Sequence, residues 1–198
     1  MLDRSLSNVD VNYKRNNTNN VFKWTFTKEG TYHVLTLEPY TAKYVKVIKN
    51  INTKITLAII DYENHDVQQC KFVCDNNDVE LIFNDAVRTF AQNAVDLLTD
   101  CPSRERAGWL SDSYFSSTAE LYLTSENKVE RAFLENYTLL EKCNLPKGMI
   151  PMVYPSDDYD QVFIPNWSLW YILEVEKYAC LHNDHSLVEP SIKKLLEF

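Results

Sequence analysis

The chain has 198 residues, with 20 Lys and Arg against 28 Asp and Glu and a formal net charge of −8. That balance opposes a phosphate-binding surface and sets DNA and RNA aside as partners. Its 45% hydrophobic content is enough for one large domain or two small ones, while only three glycines leave little material for a Gly-rich nucleotide cradle; nucleotide binding is not expected, nor is any cofactor.

At the N-terminus, residues 1–7 lack a charged region leading into an apolar one. No run approaches the ~20 apolar residues that span a bilayer. No membrane partner is expected, and a cytoplasmic location follows unless the N-terminus is truncated. The Asn-rich stretch 16–20 is polar enough for a loop. Up to Cys74 the texture is β-branched and aromatic with period two, which predicts strands at 21–27, 32–37, 44–48 and 55–60. Turn-forming residues separate them at 28–30, 38–39 and 50–52. Together they predict part of a β-sandwich.

From Asp75 the period becomes helical, with Val79, Ile82, Phe83, Ala86, Val87, Phe90, Ala94 and Leu97 three or four apart. Asn77 followed by Glu80 has the spacing of a reciprocal cap and marks the start. A second helix is predicted over 113–123. A third follows Ser125, with Val129, Phe133, Tyr137 and Leu140 on one face. A Pro-rich, acidic loop at 144–165 leads to helical spacing at Trp167, Trp170, Tyr171, Val175 and Tyr178, and again over 186–198. Five helices in sequence imply an all-α body. Five cysteines without a CxxC pair suggest neither zinc nor a disulfide framework, and are expected to be reduced, buried thiols.

Between the first two helices lies Asp100-Cys-Pro-Ser-Arg-Glu-Arg-Ala-Gly-Trp-Leu-Ser-Asp112, dense in charge for a connector. The plain reading is surface pairing of acids with arginines, which contributes little. The functional reading places Glu105 among Arg104, Arg106 and Trp109, where burial raises and positive neighbours lower its proton affinity. A glycosidase needs one carboxyl to protonate the leaving oxygen and a second to activate water or attack the anomeric carbon. Asp100, Glu105 and Asp112 are the candidates.

The pattern Asp-Cys-Pro-x-Arg-x-Arg-x-Gly-Trp-x-x-Asp resembles the signature of the α-L-rhamnosidases of glycoside hydrolase family 78. Similarity continues more loosely through 164–170 into the following helix, so that roughly 75–190 is covered. The resemblance implies an α+β, multi-domain chain: the end of a β-sandwich over 1–74, then the first part of an (α/α)6 toroid, as in six-hairpin glycosidases, over 75–198. It implies an inverting enzyme that releases terminal α-L-rhamnose from carbohydrate. Glu105 is then the general acid, Asp100 and Asp112 hold sugar hydroxyls, and Trp109 packs against the sugar. Arg104 is either a partner of the acids or a substrate contact, and Trp167 is a further candidate for sugar stacking. Ser111 stands where the family usually has Gly, and Asn166 where it often has Asp.

The toroid needs more helices than the five that fit, so the chain is expected to be a fragment, little active alone, with its general base outside it. Glu120, Glu126, Glu130 and Glu174 are read as exposed, solubilising residues rather than as that base. A non-catalytic or vestigial carbohydrate-binding fragment is the alternative. No metal is expected: His182 and His185 flank a polar turn, and the acidic stretch 156–160 lacks the ligand spacing of a calcium loop.

Overall fold

In the computed structural model, residues 6–7, 10–14, 19–50, 52–140, 145–146, 148–155 and 164–198 are described. The chain divides into two compact units, residues 1–61 with 102–104, and residues 62–101 with 105–198.

In the first unit, β1 (Leu6–Ser7) pairs antiparallel with β2 (Asp10–Val11), Leu6 opposite Val11 and Ser7 opposite Asp10. The four strands expected between residues 21 and 60 form no ladder among the described residues, and the β-sandwich portion is not seen. Period-two patterning decides which side chains share a face, whereas a strand exists only when its backbone groups find a neighbouring chain. Without that neighbour the apolar side chains stay in solvent, as Leu37 and Ile48 show at 105% and 85% exposure. Aromatics cluster locally instead. Phe22 meets Trp24 and Tyr40 at centroid distances of 5.0 and 5.3 Å, and Phe26 stacks on Tyr32 at 4.3 Å. Residues 102–104 are tied to this unit by Thr41, whose Oγ1 donates to the Pro102 carbonyl over 2.6 Å.

The second unit is helical. Helix α1 (Asn77–Asn93) is capped by Asn76, whose side-chain oxygen accepts from the backbone N–H groups of Asp78 and Val79. The cap therefore lies one residue before the predicted one, because Asn76 keeps the extended backbone that a cap requires while Asn77 is already helical. The helix also stops short of Leu97: Ala94 and Leu98 close a tight bridge that turns the chain. Phe90, Ala91, Ala94 and Leu98 form a small core with Val67 and Val129, the first of these on a 3-10 turn at His65–Gln69. Val79 and Ile82, expected on the buried face, are exposed.

Helices α2 (Leu110–Thr124), α3 (Lys128–Thr138), α4 (Pro165–His182) and α5 (Val188–Glu197) follow. Pro165 opens α4, where its missing N–H costs nothing. Ser125 and Asn183 end α2 and α4 in the left-handed conformation that closes a helix. The main core joins Leu110 of α2, Phe133, Leu134 and Tyr137 of α3, Tyr171 and Val175 of α4, and Ile150 from the connector. Tyr137 stacks on Tyr171 at 4.9 Å. Of the cysteines, Cys70, Cys74 and Cys101 are half-buried and Cys180 is exposed, against the expectation of burial, and all four are unbridged; Cys143 lies outside the described residues. Among the described residues no helix is long and apolar enough to cross a membrane.

Candidate functional site

The thirteen-residue run forms a loop that closes on itself. The Asp100 N–H donates to the Ala107 carbonyl, and the Ala107 N–H donates back to Asp100 Oδ1, both over 3.1 Å. These two bonds fix the mouth of the loop and leave Glu105 at its exposed turn. Arg106 reverses the chain at φ 52°, a left-handed conformation that costs a non-glycine residue about 1–2 kcal/mol.

The loop then docks through Gly108, Trp109 and Leu110. Trp109 makes an antiparallel bridge with Val153, flanked by bonds from Tyr154 N–H to the Gly108 carbonyl (3.2 Å) and from Leu110 N–H to the Met152 carbonyl (3.0 Å). The bridge fixes Trp109, the residue that precedes the first turn of α2, and so places Asp112 within that turn. Gly108 is obligatory for the approach. A Cβ there would stand 2.7 Å from the Phe133 ring and 2.7 Å from the Tyr154 carbonyl oxygen, closer than carbon tolerates. Gly108→Ala is therefore expected to destabilise the protein by about 1–3 kcal/mol, through the strain of overpacking. A urea midpoint unchanged from wild type would show that the loop docks otherwise.

Three carboxyls of the motif share this region. The Asp112 carboxyl is raised from its ordinary value, chiefly by partial burial, then by the negative charges of Asp100 and Glu105. Asp100 and Glu105 thus each lie within electrostatic reach of Asp112. Trp109 is half-buried, and its indole N–H is buried with no hydrogen-bond acceptor among the described residues. Ser111 is buried in α2. Arg104 is exposed in the first unit. Trp167 is half-buried in the first turn of α4, and Asn166 beside it is exposed. A cavity of about 430 Å³ between the 3-10 turn and α1, bordered by Asn64, Val67, Leu81 and Arg88, includes none of the predicted residues. Among the described residues no group of three or more His, Cys, Asp or Glu is placed to hold a metal ion, and residues 156–160 lie outside them.

A second polar constellation went unanticipated. Glu120, Glu130 and Glu174, expected in solvent, are buried, at 1%, 0% and 0% exposure. Only Glu126 of that set is exposed, paired with Lys128 at 2.9 Å. The cause lies in the partners that α2, α3 and α4 bring together. Glu120 accepts from the backbone N–H groups of Val129 (2.8 Å) and Glu130 (3.0 Å), capping α3 from across the helix junction. The α3 N-cap residue Asn127 makes no side-chain cap bond of its own. Its amide instead donates to the Ser117 carbonyl and to Glu130. Lys177 Nζ lies 2.9 Å from Glu130 Oε1 and also donates to Ser117 Oγ and to the Tyr114 carbonyl. Glu174 lies 2.6 Å from Ser113 Oγ and 3.4 Å from Ser117 Oγ.

Burial lifts the Glu120 carboxyl to about 7, against the two backbone donors that lower it. Burial lifts Glu174 to about 8; Ser113 opposes this, and the Glu130 charge adds to it. The sequence did carry a signal. Glu174 falls three residues after Tyr171 and four before Tyr178, and Glu130 three before Phe133, so both lie on the stripes already read as core.

Comparison with known families bears on the whole helical unit. The model of the bacterial alpha-L-rhamnosidase 6 hairpin glycosidase domain matches residues 67–198, which take in the motif loop and helices α1 to α5. No curated protein and no solved structure matches the chain significantly. The matched region is well over half of the chain and contains the charged loop where the resemblance located it, so the protein belongs to the bacterial α-L-rhamnosidase six-hairpin glycosidase domain family, a family of glycoside hydrolases.

Proposed function

We propose that this protein takes part in releasing terminal α-L-rhamnose from glycans by an inverting, two-carboxylate mechanism in which Glu105 is the general acid. The observation that carries this reading is the self-closed loop that holds Asp100 at its mouth and Glu105 at its turn, with Asp112 in the helix turn that follows. Two carboxyls on the loop and a third in the first turn of α2, after a bridged Trp, suit a sugar, whose hydroxyls need acceptors and whose ring faces are apolar. Glu105, at the exposed turn of the loop, is the proposed proton donor to the glycosidic oxygen. It gives its proton to that oxygen as the bond to the anomeric carbon breaks, while a separate carboxylate draws a proton from the water attacking the opposite face. Asp100 and Asp112 accept hydrogen bonds from ring hydroxyls. Trp109 offers its apolar body to the ring, Arg104 sets the local field or contacts the substrate, and Trp167 is a second stacking candidate. The glutamates Glu120, Glu130 and Glu174 are sealed from water and take no part as base.

The test is a panel of aryl glycosides that share a leaving group and differ only in the sugar, with the configuration of the released sugar followed by NMR. Preferential turnover of the α-L-rhamnoside, with inverted product, is expected of the full-length protein that supplies the general base. Equal turnover across the sugars would remove rhamnose from the reading, and rhamnose binding without turnover would favour a carbohydrate-binding role instead.

A further inference from the structure

We propose that Glu174 is a proton-carrying carboxyl that locks the first turn of α2 onto α4, so that this junction is tight while Glu174 is protonated and loosens when it ionises. Two short contacts at Ser113 fix where the hydrogens lie. Ser113 Oγ lies 2.6 Å from the Leu110 carbonyl oxygen and 2.6 Å from Glu174 Oε2. A hydroxyl has one hydrogen and two lone pairs. It cannot donate along two such short contacts at once, so one neighbour must supply a proton. A carbonyl has none to give; a carboxylic acid does. The consistent arrangement is Glu174 O–H donating to Ser113 Oγ, and Ser113 O–H donating to the Leu110 carbonyl.

Charge balance leads to the same assignment. Three buried carboxyls face one ammonium group, and unpaired charge is costly to bury. Lys177 lies against Glu130, which also accepts from Asn127. Glu120 faces the two backbone N–H groups at the start of α3, where a negative charge is favoured. Glu174 is left with hydroxyl partners alone, which accept a proton as readily as they donate one. The titratable and charged groups that interact with it are Glu130 and Tyr137 on α3 and Tyr171 and Lys177 on α4, while α2 presents the hydroxyls of Ser113 and Ser117. Helix α5 enters this layer through Ser191, hydrogen-bonded to the Tyr171 hydroxyl at 2.7 Å. None of these supplies a second cation beside Glu174.

When the Glu174 O–H breaks, its proton leaves to solvent and the Ser113 lone pair faces an anion. Ser113 can then bond either Glu174 or Leu110, not both. Leu110 and Ser113 form the turn of α2 that begins directly after Trp109, so the proton acts where the motif loop meets its helix.

Because Glu174 titrates near 8 in the folded chain against an ordinary 4.5, its stabilisation is complete below about 4.5 and is lost as pH rises through 8. The folding equilibrium constant is expected to fall by up to about tenfold per pH unit for this proton across that window. Glu120, near 7, adds a slope of the same sign at the lower end.

The experiment is urea unfolding of wild type and Glu174→Gln at pH values from 5 to 9, with infrared spectra of the wild type in the carboxylic-acid carbonyl region. Gln keeps a donor toward Ser113 and cannot ionise, so its pH slope should be shallower by up to one proton. Wild type should show a buried carboxylic-acid band at pH 6 that fades as pH rises toward 9. Identical slopes in the two proteins, or no such band in a Glu120→Gln background, where the other raised buried carboxyl contributes none, would overturn the proposal; that band decides alone if Glu174→Gln does not fold.

Discussion

Glu105→Gln is expected to slow hydrolysis of an unactivated phenyl α-L-rhamnoside by roughly 10²–10⁴-fold, the usual worth of a positioned general acid. On the barrier this is about 3–5 kcal/mol. Gln keeps the shape and polarity of the side chain while removing the transferable proton, so rhamnose binding should change little. The loss should depend on the leaving group. A dinitrophenolate departs as a stable anion and needs little protonation, so the same variant should retain most of its turnover on the dinitrophenyl substrate. Steady-state rates on the two substrates make the check. An equal loss on both would mean that Glu105 positions the sugar rather than protonating the departing oxygen, and unchanged rates on both would remove it from the mechanism.

The largest effect on stability is expected at Lys177. Its ammonium is the partner of Glu130 at 2.9 Å, and it also donates to Ser117 and the Tyr114 carbonyl and lies 4.6 Å above the Tyr114 ring. Lys177→Met keeps most of the aliphatic length and deletes the charge, leaving Glu130 buried without a counter-ion. Breaking a buried pair from one side costs about 3–5 kcal/mol, a large share of what holds a domain together. Adding Glu130→Gln to Lys177→Met should recover most of that loss, since no uncompensated charge then remains. Urea unfolding of the single and double variants measures the coupling. If the double variant is as unstable as Lys177→Met alone, the lysine matters for packing and not for charge.

What the sequence disclosed followed the strength of its periodic signals. Helices α1 and α3 were legible because Phe83, Val87, Phe90 and then Val129, Phe133, Tyr137 recur at helical spacing, and their buried members are the core of the structure. Boundaries were less legible. Two adjacent asparagines compete to cap α1, and only backbone geometry chooses Asn76. Helix α2 begins at Leu110, three residues before the predicted start, because the bridge between Trp109 and Val153 anchors it from a connector distant in sequence. Alternation in 21–60 showed which side chains share a face and could not show whether a partner chain would be met. The charged loop was legible through its density of acids and arginines, whereas its self-closure between Asp100 and Ala107 was not. Glutamate on a helix is usually a solvent residue, and that habit of composition concealed Glu120, Glu130 and Glu174. For Glu130 and Glu174 their positions on the apolar stripes outweighed it, and for Glu120 the open N–H groups at the start of α3 did.

The cap that Glu120 places on α3 also bears on how the helical unit assembles. Helix α3 has 11 residues, a length at which an isolated helix in water is marginal. Its own N-cap residue leaves the leading N–H groups without a local acceptor, and the carboxylate that receives two of them belongs to the preceding helix. The start of α3 is thus secured only once α2 has formed and turned back through Ser125. Helix α3 is therefore not an independent module: the acceptor for its leading N–H groups is supplied from α2.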